Sequence, residues 1–122
     1  PAAKTDYRDG RTRVRFKECS PEEKARLIAE DPAYGRVVCR CETITEGEIL
    51  NALREEIPAT TIDGVKRRCG AGMGRCQGGF CGPRVLELIS KTLGISPLDV
   101  LQDKAGTNVL LCETKQEENH HD

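Results

Sequence analysis

Four cysteines fall into two tight pairs, Cys39-Arg40-Cys41 and Cys76-Gln77-Gly78-Gly79-Phe80-Cys81, separated by 34 residues. A thiolate is both a nucleophile and a soft metal ligand, and two close pairs suggest a metal site. The second pair lies in a run from Arg68 to Pro83 that holds three of the seven cysteines and six of the twelve glycines. Such a run cannot form a regular helix or strand, because interior glycine weakens either one. What it offers is thiols on a pliant backbone whose N–H groups can close around a ligand.

Two other chemistries fail on spacing. Gly70, Gly72 and Gly74 suggest a dinucleotide fingerprint, but the sixth position counted from Gly70 is Arg75, and from Gly72 it is Gln77. No Gly-Lys-Ser/Thr of a phosphate loop follows. All-thiolate donors leave zinc or an iron–sulfur cluster. Three features favour the cluster. The glycine loops can donate N–H groups to bridging sulfides without side-chain obstruction. Basic residues Arg40, Lys66, Arg67, Arg68, Arg75 and Arg84 fall near the ligands in sequence, and a helix start at Gly82 would add a positive dipole end. The C-x4-C spacing is also looser than the usual zinc knuckle. Zinc remains open on the residues alone.

The composition agrees with a small metal-supported unit. In 122 residues there is no Trp, and aromatics make up 3%, so the core must be thin and a metal centre would help hold it. A net charge of −1 argues against a general nucleic-acid binder. An odd cysteine count without a signal peptide or transmembrane run favours a reduced, cytoplasmic chain over a disulfide framework.

The elements that would position the thiols are short. Arg11 to Lys17 alternates charged and less polar residues, as a strand would. Ser20-Pro21-Glu22-Glu23 starts a helix to about Glu30, with Leu27 and Ile28 inward. Val37 and Val38 lead into Cys39 as an extended piece. Thr43 or Thr45 opens a helix whose buried stripe is Ile49, Leu50, Leu53 and Ile57, ended by Pro58. Thr60 or Thr61 caps a shorter helix to about Arg68. Gly82-Pro83 start an apolar helix to Leu93, stopped by Gly94. Ser96-Pro97 cap a last helix to about Gln102. Residues 108–113 suit a strand pairing with residues 12–16, which would make Cys112 structural. Glu117 to Asp122, with His120 and His121, reads as a solvated tail.

Cys39-Arg40-Cys41-Glu42, Asp63 to Arg68, and Ala71 to Cys81 together resemble the bacterioferritin-associated-ferredoxin-like (BFD-like) [2Fe–2S]-binding domain. The resemblance is closest to the version at the C-terminus of FAD-dependent, anaerobic-type glycerol-3-phosphate dehydrogenases and related amine and opine oxidases. It implies a small helical [2Fe–2S] domain of short helices and loops; with the strand pairing read from the residues above, the expected fold is mainly α with a short two-stranded β pairing of the terminal segments. The expected organisation is a linker or strand over residues 1–17, a connector helix over 18–35, the BFD-like domain over 36–104, and a strand and tail over 105–122. The resemblance implies that Cys39, Cys41, Cys76 and Cys81 are the cluster ligands, with Arg40, Lys66, Arg67, Arg68 and Arg75 tuning the potential or docking.

By the same resemblance the chain is an electron-transfer domain that takes electrons from flavin and passes them singly to an acceptor protein or quinone pathway. FAD would belong to a missing upstream domain, in the same polypeptide or complex, and no residue here would act as acid, base or nucleophile. Neither nucleic acid nor a direct membrane span is expected. Membrane association, if any, would come through partner proteins. Cys69 departs from the resembled pattern, which often has threonine there, and a fifth thiol so close could exchange as a ligand or be oxidised. Two rival readings follow: a structural zinc-binding interaction module, with zinc also able to replace the cluster in a recombinant preparation, and a redox or iron sensor using Cys69.

Overall fold

Strong local signals start most of the helices. The structure is a computed structural model, describing residues 2–8, 10 and 13–114. Helix α1 (Pro21–Glu30) begins at a complete capping box: the Ser20 hydroxyl accepts from the Glu23 N–H, and the Glu23 carboxylate accepts from the Ser20 N–H. It buries no residue. Leu27 is half-buried and Ile28 exposed, so the inward pair expected from sequence is only partly realised. The helix ends before Pro32, which disfavours helical backbone in the preceding residue, and a 3-10 turn spans Pro32–Gly35.

A two-stranded antiparallel sheet follows, β1 (Val37–Cys39) with β2 (Ile44–Thr45), in the register Val37 to Thr45 and Cys39 to Ile44. The mainly α fold with one β pair matches expectation, but the pair is made by different residues. Phe16–Glu18 coils into a 3-10 turn, with the Phe16 ring buried and its N–H given to the Glu48 carboxylate at 3.0 Å. Asn108 bridges Leu101 instead, and the Val109 N–H reaches the Val100 carbonyl. Cys112 is exposed rather than packed. The tail expected at Glu117 to Asp122 lies outside the described residues.

Helix α2 (Glu46–Arg54) starts at a second capping box, Thr45 with Glu48, and turns Ile49, Ala52 and Leu53 inward. Ile57 does not continue the stripe: the helix stops at Arg54 and Ile57 is 78% exposed. Glu55, one residue past the helix, is held by Arg13 at 2.9 Å and Arg68 at 3.5 Å, which turns the chain away. Helix α3 (Ile62–Cys69) is capped by Thr61 and closed by Gly70 in the left-handed region. The first N–H groups of α3 would lack helical partners, and those of Ile62 and Asp63 go to the carbonyls of Leu101 and Gln102. Helix α4 (Gly82–Leu93) ends at Gly94 as expected. The last helix shrinks to a 3-10 turn at Pro97–Asp99.

Helices α2, α3 and α4 close around Ile49, Val65, Ile89 and Val100, each fully buried. This cluster contains no aromatic ring, so it is thin, and Cys39 and Cys81 are members of it. The aromatic residues sit apart, where Phe16 stacks on Tyr34 at 6.3 Å between centroids and Lys24 covers the Phe16 ring. Glu48 joins the two regions. Its carboxylate is buried and accepts from the N–H of Phe16, the N–H of Thr45 and the hydroxyl of Thr45. Glu48→Ala strands those donors, so it should lower stability by about 2–3 kcal/mol. It should also free the Arg13–Glu18 segment. Urea denaturation and trypsin cleavage at Arg13 and Arg15 check both effects; unchanged midpoint and cleavage would refute the latch.

Candidate metal centre

The hairpin and the glycine loop bring the two cysteine motifs face to face. Cys39 ends β1 and is 1% exposed, while Cys41 stands exposed in the turn before β2. Thr43 in that turn has φ of 54°, a left-handed conformation uncommon for a β-branched residue. Cys76 is half-exposed in the glycine loop, and Cys81 is 3% exposed as the residue capping the N-terminus of α4. The thiols meet across the motifs. Cys41 Sγ lies 3.5 Å from Cys76 Sγ on the outside, and Cys39 and Cys81 are both buried in the core on the inside.

Gly74 makes this approach possible. A Cβ there would lie 2.1 Å from Cys41 Cβ and 3.3 Å from its sulfur, so the loop can pass only as bare backbone. Gly78 supplies a positive φ of 80° that turns the chain between Cys76 and Cys81. Beyond this turn the Gly79 N–H donates to the Cys76 carbonyl at 2.9 Å, which folds the loop back on Cys76. The Phe80 N–H, with the Cys41 thiol next in importance, holds the Cys76 thiol below the ordinary thiol range. Burial, reinforced by the neighbouring Cys39 and Cys76, pushes Cys81 up to about 11. Cys81 is therefore a neutral thiol at neutral pH.

The four sulfurs share an open cleft of about 800 Å³ with Val37, Val38, Phe80, Arg36, Arg40, Glu46 and Arg84. Glu46 is clamped by Arg36 at 2.7 Å and Arg84 at 3.2 Å, and the Arg36 hydrogen bond is the main reason its carboxyl is held below the usual range. Arg84 also pairs with Glu87 at 2.6 Å. Among the described residues, no group of three or more His, Cys, Asp or Glu side chains is arranged to hold a single metal ion. Soft donors in two pairs, backed by unobstructed N–H groups, fit the donor set of an iron–sulfur cluster.

The structure redistributes the basic residues expected near the thiols. Arg40 and Arg84 line the cleft. Arg75 is exposed next to Cys76 but does not line it. Lys66 lines a separate groove with Ile62, Leu86 and Val109. Arg67 pairs with Asp103 at 3.0 Å, and Arg68 donates to the carbonyls of Gly64 and Ile57. Arg36 and Glu46 were not singled out by the sequence, which gives no signal that they would meet at the cleft wall. Cys69 packs against the core but does not line the cleft, and it donates to the Val65 carbonyl at 3.3 Å beside Arg13 and Glu55.

Residues 37–91 match the family described as the BFD-like [2Fe-2S] binding domain. That segment belongs to this family. Over 103 residues the chain is 48% identical to the glycerol 3-phosphate dehydrogenase of Caloramator mitchellensis, a match covering 84% of this chain and 22% of the relative. An opine oxidase subunit of Rhizobium meliloti is 41% identical over 64 residues, 52% of this chain and 12% of the relative. An anaerobic glycerol-3-phosphate dehydrogenase subunit of Escherichia coli (strain K12) is 33% identical over 64 residues, again 52% and 12%. The chain thus spans about a fifth or less of the length of these relatives. No solved structure matches it. Among the described residues no helix is long and apolar enough to cross a membrane.

Two outcomes test this geometry of the BFD-like domain. Gly74→Ala should displace Cys41, costing about 1–3 kcal/mol of stability by overpacking and abolishing iron uptake. Gly82→Ala, where a Cβ meets nothing within 4 Å, is the control for denaturation and iron analysis. Burial pushes the Cys69 thiol up to about 11, so iodoacetamide at pH 8 should modify it far more slowly than Cys112, which is exposed. Peptide mapping of the alkylated chain would refute this placement if the two react alike.

Proposed function

We propose that Cys39, Cys41, Cys76 and Cys81 hold a [2Fe–2S] cluster, and that the chain serves as a one-electron relay between a flavin domain and an acceptor. The observation that carries the reading is the gathering of four thiols on one cleft, with Cys41 against Cys76 across the motifs and bare backbone at Gly74. When bound, such a cluster takes up and gives back one electron at a time, which suits it to follow a flavin reduced by two. The chain's own residues bind and orient it. Cys39 and Cys81 anchor the inner side in the core, while the Phe80 N–H, the main influence that lowers the Cys76 thiol, offsets negative charge at the outer side.

The relatives' names supply the rest of the proposal. Two are glycerol-3-phosphate dehydrogenases and one is part of an opine oxidase, so the partner would be an FAD-containing domain of the same polypeptide or complex, with glycerol 3-phosphate as the leading substrate class. Docking would use the face where Cys41 is exposed and Phe80 is 89% exposed, with Arg40 at its rim. A quinone pathway or an acceptor protein would lie downstream. Cytoplasmic residence fits the redox requirement of free thiols.

The test is an anaerobic visible spectrum with iron, zinc and sulfide analysis of the reconstituted chain. Two irons and two labile sulfides per chain, with charge-transfer bands lost in Cys76→Ser, are the expected result. Zinc alone after anaerobic iron–sulfide reconstitution would overturn the relay and leave a structural zinc module.

A further inference from the structure

The four thiols differ in what can reach them, and the difference runs across the two sequence motifs rather than along them. Cys39 and Cys81 are 1% and 3% exposed, inside the core cluster. Cys41 is exposed and Cys76 half-exposed, and their sulfurs are already 3.5 Å apart. A disulfide needs about 2.0 Å, so the two sulfurs, one in a turn and one in a glycine loop, have about 1.5 Å to close. The Gly74 backbone lies directly against Cys41, so little free space surrounds that side chain on this side. The remaining thiols are poorly placed to compete. Cys69 is turned to the Val65 carbonyl and Cys19 to that of Arg15, while Cys112 lies in the exposed 109–112 segment.

We propose that, in the metal-free chain, Cys41 and Cys76 form a reversible disulfide that closes the cleft to metal until it is reduced. The inference rests on the reading of these thiols as metal ligands. The oxidant is a low-molecular-weight disulfide of the glutathione class. One of the two cysteines, as thiolate, attacks a sulfur of that disulfide, expelling one small thiol and leaving a mixed disulfide on the protein. The other cysteine then attacks the protein-side sulfur and expels the second small thiol. The pair gives up two electrons and two protons, and the small disulfide is reduced to two thiols. The link joins residues 35 apart, so it also restricts the unfolded chain. Both outer sulfurs are then unavailable as ligands, and a reductant of the thiol class restores them. Oxidising conditions would thus halt loading without damaging the site, since a disulfide, unlike the higher cysteine oxides, is undone by thiols.

The experiment treats the metal-free chain with oxidised glutathione, blocks the remaining thiols with iodoacetamide, and maps the tryptic peptides. Trypsin cuts after Arg40 and Arg75, so Cys39 and Cys41 leave on different peptides, while Cys76 and Cys81 stay together on Cys76–Arg84 and are told apart by fragmentation. The expected product links Cys41 to Cys76, is reversed by dithiothreitol, and takes up no iron and sulfide until reduced. Cys41→Ser and Cys76→Ser should remove the link, and Cys69→Ser should keep it. A dominant Cys39–Cys41, Cys76–Cys81 or Cys39–Cys81 link, or glutathione adducts alone, would overturn the proposal. A Cys41–Cys76 link in a chain that takes up no iron–sulfide even when reduced would instead sink the cluster reading, while the cross-link itself stood.

Discussion

The arrangement of this chain depends on one close approach, that of the Gly74 backbone to Cys41. Two short motifs 34 residues apart can present four sulfurs to one cleft only if the loop carrying the second lies directly on the turn carrying the first. Any side chain at residue 74 would occupy the volume of the Cys41 side chain. The surrounding elements hold the two backbones at that separation. Strand β1 is pinned to β2, β2 runs directly into α2, and α2 packs on α3 and α4, whose ends bracket the glycine loop. The core that does this is small, and two of its members are themselves cysteines.

Around the thiols the environment is graded. On the inside, apolar packing surrounds Cys39 and Cys81 and disfavours charge. On the outside, N–H donors and solvent stabilise charge at Cys76. The cleft wall adds an alternating chain of charges, from Arg36 through Glu46 and Arg84 to Glu87 and Lys91. Individually the exposed pairs contribute little, but Glu46 is mostly buried between two guanidiniums, and its placement fixes both. The structure thus orders the region with few residues, most of them polar.

How much of this the sequence disclosed follows from how local each signal is. Capping residues Ser20, Thr45 and Thr61 and the stop at Gly94 act within one turn, so the helix starts and that end were legible. The thiol pairs stood out because each sets two cysteines within six residues of one another, although the residues alone left zinc and an iron–sulfur cluster both open. Failures came where a distant group decided the outcome. Phe16 looked like a strand residue because its alternation was counted, while the buried carboxylate that takes its N–H lies 32 positions away. Ile57 looked buried because the periodicity continued past the point where Arg13 and Arg68 draw Glu55 aside. Lys66, Arg67 and Arg68 stood close to the thiols in sequence, but the turns of α3 send them to other faces.

The Glu48 latch has a consequence for whatever precedes it. By taking the Phe16 N–H, it converts the lead-in segment from a free chain to an anchored one, and Lys17 then lies 3.7 Å from Glu42, next to Cys41. An attached neighbour would be tethered at that point rather than at a freely swinging end. Its effective concentration at the cleft is set by the slack upstream of Arg13, which Glu55 also holds, and that concentration falls with length roughly as the −3/2 power once the gap is spanned. Releasing the Phe16 N–H from Glu48 and Arg13 from Glu55 would lengthen the tether from a point outside the four thiols, so the rate of encounter could be tuned without replacing any of them.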